Sequence, residues 1–113
     1  MSDADASAPL KPAALYILAA LADGDRHGYA VMQAVRDLSE GRVPIQTGSF
    51  YRHLSQLLDA GLVAESTPRR VADPRRGVDY RLTSRGRQVL DRERRHLANL
   101  VAALKSSARK GLA

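Results

Sequence analysis

Arg52, His53 and Gln56 lie in the stretch Thr47-Gly-Ser-Phe-Tyr-Arg-His-Leu-Ser-Gln-Leu-Leu-Asp-Ala-Gly61, and their side chains are of the kinds that read nucleic-acid bases. Arginine presents a planar fork of donors matched to the guanine edge, and glutamine pairs two-fold with adenine. Hydroxyl groups such as those of Thr47, Ser49 and Tyr51 suit phosphate oxygens, which position a protein on a duplex without reading its sequence.

The spacing says which element carries them. Phe50, Leu54, Leu57 and Leu58 recur at i, i+4, i+7 and i+8, one stripe of a 3.6-residue helix that faces a core. Ser49, Arg52 and Gln56 then fall on the opposite side, with Tyr51 and His53 on the flanks. Thr47 is expected to cap the start, and Gly61 to supply the left-handed residue that ends the helix. Thr47, Ser49 and Tyr51 are the expected phosphate contacts, near amides that themselves attract an anion, and Arg52, His53 and Gln56 the expected base readers. The plain alternative for this face is a solvated polar surface, and for Tyr51 and Tyr29 a packing role. Asp59 shares the outward face but is expected to lie past the groove, because phosphate repels a carboxylate.

Catalysis finds little to work with. Asp23, Asp25, His27, His53 and His96 are the raw material, and the three histidines fall on separate expected elements. None has a metal-ligand partner at helical spacing or a nucleophile beside it, and no glycine-rich phosphate loop occurs. The chain has no cysteine, which excludes disulfides and thiolate metal sites. The reading is therefore non-enzymatic, with no cofactor and no metal.

Charge supports a polyanionic partner. The net charge is +6, and its distribution is uneven. Residues 1–41 hold three basic side chains against six acidic ones, whereas residues 42–113 hold fifteen against six. The excess is nearly all arginine, which grips phosphate in a bidentate manner. A basic surface kept for solubility is the alternative. No run approaches the roughly 18 apolar residues of a membrane span, and the expected location is the cytoplasm.

The elements that position this helix follow in order. Residues 1–9 are expected to form a disordered tail. A first helix is expected from Leu10 to Ala22, burying Leu10, Ala14, Leu15, Leu18 and Leu21. A second is expected from His27 to Ser39, presenting Tyr29, Val31, Met32, Val35 and Leu38 and stopped by Gly41. Residues 42–46 form an extended connector to the helix at Thr47. Alternation over Leu62–Thr67 and Val78–Thr83 predicts a hairpin whose tip carries Arg69, Arg70, Arg75 and Arg76 against Asp73. Three helices and a hairpin make a mainly α chain with a small β-hairpin, a winged helix-turn-helix over residues 10–83. The arginine-bearing wing is expected to meet phosphates or the minor groove.

Residues 84–113 are expected to form one long C-terminal dimerisation helix, capped by Thr83. Leu90, Leu97 and Leu104 stand seven apart, with Leu100 and Val101 between the last two. A helix projecting from so small a domain cannot cover that stripe with its own chain, and a second copy can. The alternative is a helix folded back on its own domain. A two-fold dimer predicts two recognition helices roughly 34 Å apart and an inverted-repeat operator.

His27-Gly28-Tyr29, the run Thr47 to Leu54 leading to Gly61-Leu62, and Tyr80-Arg-Leu-Thr83 followed by Gly86 together resemble the PadR family of bacterial transcriptional regulators. The resemblance covers most of the chain and implies a homodimer, joined through the C-terminal helix and often helix one. It implies repression of nearby genes through double-stranded DNA, relieved by a small-molecule effector. The short C-terminal part is similar to that of the smaller subfamily, with one helix after the wing. Ser49 and Phe50 stand where the family usually has threonine and leucine, so the hydroxyl is retained. Some members stack flat aromatic drugs between tryptophans of the C-terminal helices; this chain has no tryptophan and no aromatic residue after Tyr80, which argues against that mode. A winged-helix protein-interaction module and an RNA-binding protein are the competing functions.

Overall fold

Pro12 sets where the first helix begins. Its ring fixes φ in the helical range and its missing N–H costs nothing at a helix start, so α1 runs Pro12–Ala20 behind an extended Lys11. The computed structural model describes residues 10–66 and 78–112, with side chains through residue 108. The expected tail and the wing-tip arginines Arg69, Arg70, Arg75 and Arg76 lie outside the described residues.

α1 is shorter than the expected Leu10–Ala22 and buries a somewhat different set. Ile17, Leu18, Ala20 and Leu21 are in the core, while Leu10, Ala14 and Leu15 are only half-buried. Nearly every residue of this helix is apolar, so periodicity could not choose its face.

Strand β1, Arg26–His27, follows the Asp23–Asp25 turn, and His27 then caps α2, Gly28–Ser39. The His27 Nδ1 accepts the Ala30 N–H at 3.3 Å. Val31, Met32 and Val35 are buried as expected, but Tyr29 and Leu38 are 59% and 50% exposed. At about 100° per residue they flank the buried arc on opposite sides, and both line a groove of about 500 Å³ between α2 and the end of α1. α2 stops at Glu40, which takes the left-handed conformation at φ 54° ahead of the expected Gly41. Buried Ser39 is satisfied: its hydroxyl donates to the Arg36 carbonyl and accepts the Val43 N–H.

α3 spans Thr47–Asp59. Thr47 is its first helical residue, and the residue before it, Gln46, takes the capping position. Ser49 Oγ reaches back to accept the Gln46 N–H at 3.2 Å, which displaces Thr47 from the expected role. The other end is as expected: Gly61 has φ 78°, its N–H meets the Leu58 carbonyl, and the Leu62 N–H meets that of Leu57. Leu57 and Leu62 are both buried beside this closure.

The hairpin pairs β2, Val63–Glu65, with β3, Asp79–Leu82, in the register Val63↔Leu82 and Glu65↔Tyr80. β1 adds a third antiparallel strand on the far side of β3, with Arg26↔Tyr80 and His27↔Asp79. Two residues are too few for alternation to announce a strand. Ser66 Oγ donates to Asp25 Oδ2 at 2.5 Å, and Arg26 Nε donates to the Ala20 carbonyl at 2.8 Å, so the hairpin base, the turn and the end of α1 are tied together.

Helix α4, Ser84–Leu112, begins as expected at Thr83, whose Oγ1 accepts the Gly86 N–H at 3.0 Å and donates to the Gly61 carbonyl at 2.7 Å. Gly86 leaves no room for a β-carbon, which would collide with the Leu62 carbonyl oxygen. At 1.5 Å per residue α4 is about 43 Å long. Val89 is buried in the domain core and Leu90 packs partly against it, whereas Leu97, Leu100, Val101 and Leu104 are exposed.

Candidate nucleic-acid interface

One face of α3 is sealed into the domain and the other is open. Phe50 and Leu54 are fully buried and Leu57 nearly so, while Thr47, Gly48, Arg52, Ser55, Gln56 and Asp59 are exposed. Arg52 makes no ion pair with a carboxylate among the described residues. Its guanidinium is thus available to an external acceptor. Asp59 follows it by seven residues, about 10 Å along the helix axis. Ser55 belongs to this face too. It was legible from its position, about 60° around the helix from Arg52, but it lacks the planar groups that draw attention to base reading.

The flanking residues are more constrained. Tyr51 is 44% exposed, packs edge-to-face on Phe50 with ring centroids 4.8 Å apart, and lies over Gly28 of α2. The Tyr80 hydroxyl is held above the usual phenol range, first by burial and then by the neighbouring Tyr51 and Glu65. Tyr51 therefore joins α3 to α2. Ser49 is half-buried, and its hydroxyl both accepts from the Gln46 N–H and donates to the Gln46 carbonyl. A phosphate meeting this residue would share the oxygen with the helix cap.

His53 is half-buried on the other flank. Its imidazole is held below the usual histidine range by burial first, then by the charges of Arg52 and Lys11.

The histidines do not converge. His27 caps α2, His53 flanks α3 and His96 is exposed on α4, and among the described residues no group of ligating side chains could hold a metal ion. No described helix is long and apolar enough to cross a membrane.

On α4 the first charged turns are internally paired. Asp91 meets Arg94 at 2.8 Å and Arg95 at 3.3 Å, and the hydrogen bond from Arg94, followed by the charges of both arginines, holds the carboxyl below its usual range. The apolar side chains from Leu97 to Leu104 have no such cover, with exposures from 39% to 60%.

Comparison with known proteins agrees with this architecture. Residues 17–92 match the family described as transcriptional regulator PadR-like. An uncharacterized 37.1 kDa protein in a transposon of Streptomyces fradiae is 35% identical over 96 residues, 85% of this chain. The chain spans about a quarter of that relative, 26% of its length. Among solved structures, a PadR family transcription regulator from Clostridium difficile superposes with a TM-score of 0.69 at 18% identity, covering 87% of this chain and 99% of that one. A mutant of ZitR from Lactococcus lactis superposes with a TM-score of 0.71 at 19% identity, covering 95% of this chain and 66% of that one. At these identities the structural likeness is one of fold.

Proposed function

We propose that this chain, which belongs to the PadR-like family of transcriptional regulators, is a repressor that binds double-stranded DNA as a homodimer on an inverted-repeat operator. The observation that carries the reading is the two-sided character of α3, apolar and buried along Phe50, Leu54 and Leu57, polar and open along Arg52, Ser55 and Gln56. A helix of this kind on a small domain fits the major groove. In this reading Thr47, Ser49 and Tyr51 hold phosphates, and Arg52, His53 and Gln56 face base edges. The arginines Arg69, Arg70, Arg75 and Arg76 contribute from the wing.

The same reading makes residues 84–113 the dimerisation element. Leu97, Leu100, Val101 and Leu104 form its seam, and Leu90 joins where α4 leaves the domain. An apolar stripe of this length on a projecting helix is supported by burial against a twin rather than by water. A small molecule lodged between the copies would relieve binding by changing the separation of the two α3 helices.

Selection from a random duplex pool by the purified chain is the first test. Recovery of a two-fold-symmetric site, bound with an affinity that falls steeply with salt, is the expected result. Preference for single-stranded RNA over duplex DNA, or binding by a species that sedimentation shows to be monomeric on the site, overturns the reading.

A further inference from the structure

Several glycines of this chain have a reason inside the protein. Gly28 is pressed by the Tyr51 phenol and Gly86 by the Leu62 carbonyl, while Gly41 and Gly61 hold left-handed backbone at φ 77° and 78°. None of these reasons applies to Gly48. It stands second in α3 with helical backbone and is exposed, and a β-carbon built on it meets no atom of the described residues within 4 Å beyond its own turn of helix. Glycine is a poor choice for such a place, because it gives up more conformational freedom on entering a helix than alanine does. The packing of the domain does not account for the missing side chain.

Gly48 also stands at the leading end of the open face. Gly48, Arg52 and Gln56 follow at four-residue intervals, so they run along one exposed side of α3, each about 6 Å beyond the last. A recognition helix meets base edges with its N-terminal residues, and Gly48 is the N-terminal member of this row. Charge favours the same occupant: Arg52 has no carboxylate partner among the described residues, and residues 42–113 carry fifteen basic side chains against six acidic ones. We propose that Gly48 is the point of closest approach between α3 and the duplex, where bare backbone lies against a deoxyribose–phosphate strand at the wall of the groove. The inference rests on the reading of α3 as the duplex-facing helix. A side chain at this position would stand between helix and strand and hold Arg52 and Gln56 back from the base edges. Glycine thus sets the depth of insertion, at the expense of helix stability in the free domain.

The test compares Gly48→Ala and Gly48→Leu with the parent, each as the full chain, on two probes: the duplex selected by the parent and a mixed-sequence duplex of equal length. Both replacements are better helix formers than glycine, so the midpoint of denaturant unfolding is expected to hold or rise. Affinity for the selected duplex is expected to fall, roughly tenfold for alanine and further for leucine. The mixed-sequence duplex, held by charge without deep insertion, is expected to be bound nearly as before. If both variants bind the selected duplex as the parent does while Arg52→Ala weakens it, the inference falls and α3 remains the duplex-facing helix. If affinity falls only together with the unfolding midpoint, the glycine serves the fold and the inference falls as well. A parent chain that prefers no duplex over any other overturns the α3 reading, and this inference with it.

Discussion

The phenol of Tyr51 on α3 lies over the Cα of Gly28 on α2, so closely that a β-carbon at Gly28 would come within 2.5 Å of the Tyr51 hydroxyl oxygen. The contact accounts for a glycine in the first turn of a helix, where its lost conformational freedom is otherwise a cost. Gly28→Ala is expected to destabilise the domain by about 1–3 kcal/mol, the range for overpacking. Tyr51→Phe should restore part of the loss by removing the atom that is struck. Denaturant melts of the two single variants and the double variant measure the coupling; strictly additive effects would show that the two residues do not meet.

Arg52 is exposed and has no carboxylate partner among the described residues, so its removal should spare the fold and weaken only recognition. Arg52→Ala is expected to lower affinity for the selected duplex by roughly 1–3 kcal/mol and to relax preference at one base pair per half-site. Mobility-shift titration on single-base variants of that duplex reads both quantities. Unchanged affinity would remove this side chain from the interface.

His53 gives a stability that depends on pH, with a definite sign. The folded imidazole resists protonation relative to the ordinary value of 6.5, chiefly because it is partly buried and secondly because of Arg52 and Lys11. Below that value the unfolded chain binds the proton more readily than the folded one, so stability is complete above about pH 6.5 and declines as pH falls through it. His53→Gln should flatten this part of the curve. Denaturant melts at pH 7.5 and pH 5 on both proteins provide the comparison.

The seam on α4 predicts a clean separation between association and folding. Leu100→Glu with Leu104→Glu is expected to convert a dimer to a monomer in sedimentation analysis while leaving the melting of the winged domain in place. Val89→Ala, by contrast, removes a side chain buried within the domain and should cost about 1–3 kcal/mol of stability. A double glutamate variant that stayed dimeric would locate the interface elsewhere.

Thr83 serves two elements with one hydroxyl, capping α4 at Gly86 and holding the carbonyl of Gly61 at the end of α3. Thr83→Ala is expected to destabilise the domain by about 1–2 kcal/mol, the upper part of the range for a lost cap, and Thr83→Ser to retain most of the stability. Equal melting midpoints for the alanine and serine variants would deny the hydroxyl this double role.

How much of this was legible in the sequence varied with the element. The faces of α3 were readable because its polar and apolar residues segregate over more than three turns, and Gly61 and Thr83 announced helix boundaries through chemistry peculiar to their types. α1 hid its buried face because it has almost no polar residue to mark the other one. The α3 cap escaped because Ser49, already inside the helix, does the work expected of Thr47. β1 is too short to show a period, and its pairing with β3 exists only after the hairpin has folded back on the turn before α2. The exposure of Tyr29 and Leu38 was missed for a different reason: both lie at the margin of the buried arc, where angular position alone decides nothing.

The strand pairing of Arg26 and His27 with Asp79 and Tyr80 has a mechanical corollary. Because His27 is at once the last residue of that strand and the cap of α2, the root of the hairpin and the start of α2 meet at one residue. His27→Gly is therefore expected to loosen both the start of α2 and the β1–β3 pairing, a double effect that hydrogen exchange at Ala30 and along β3 would read.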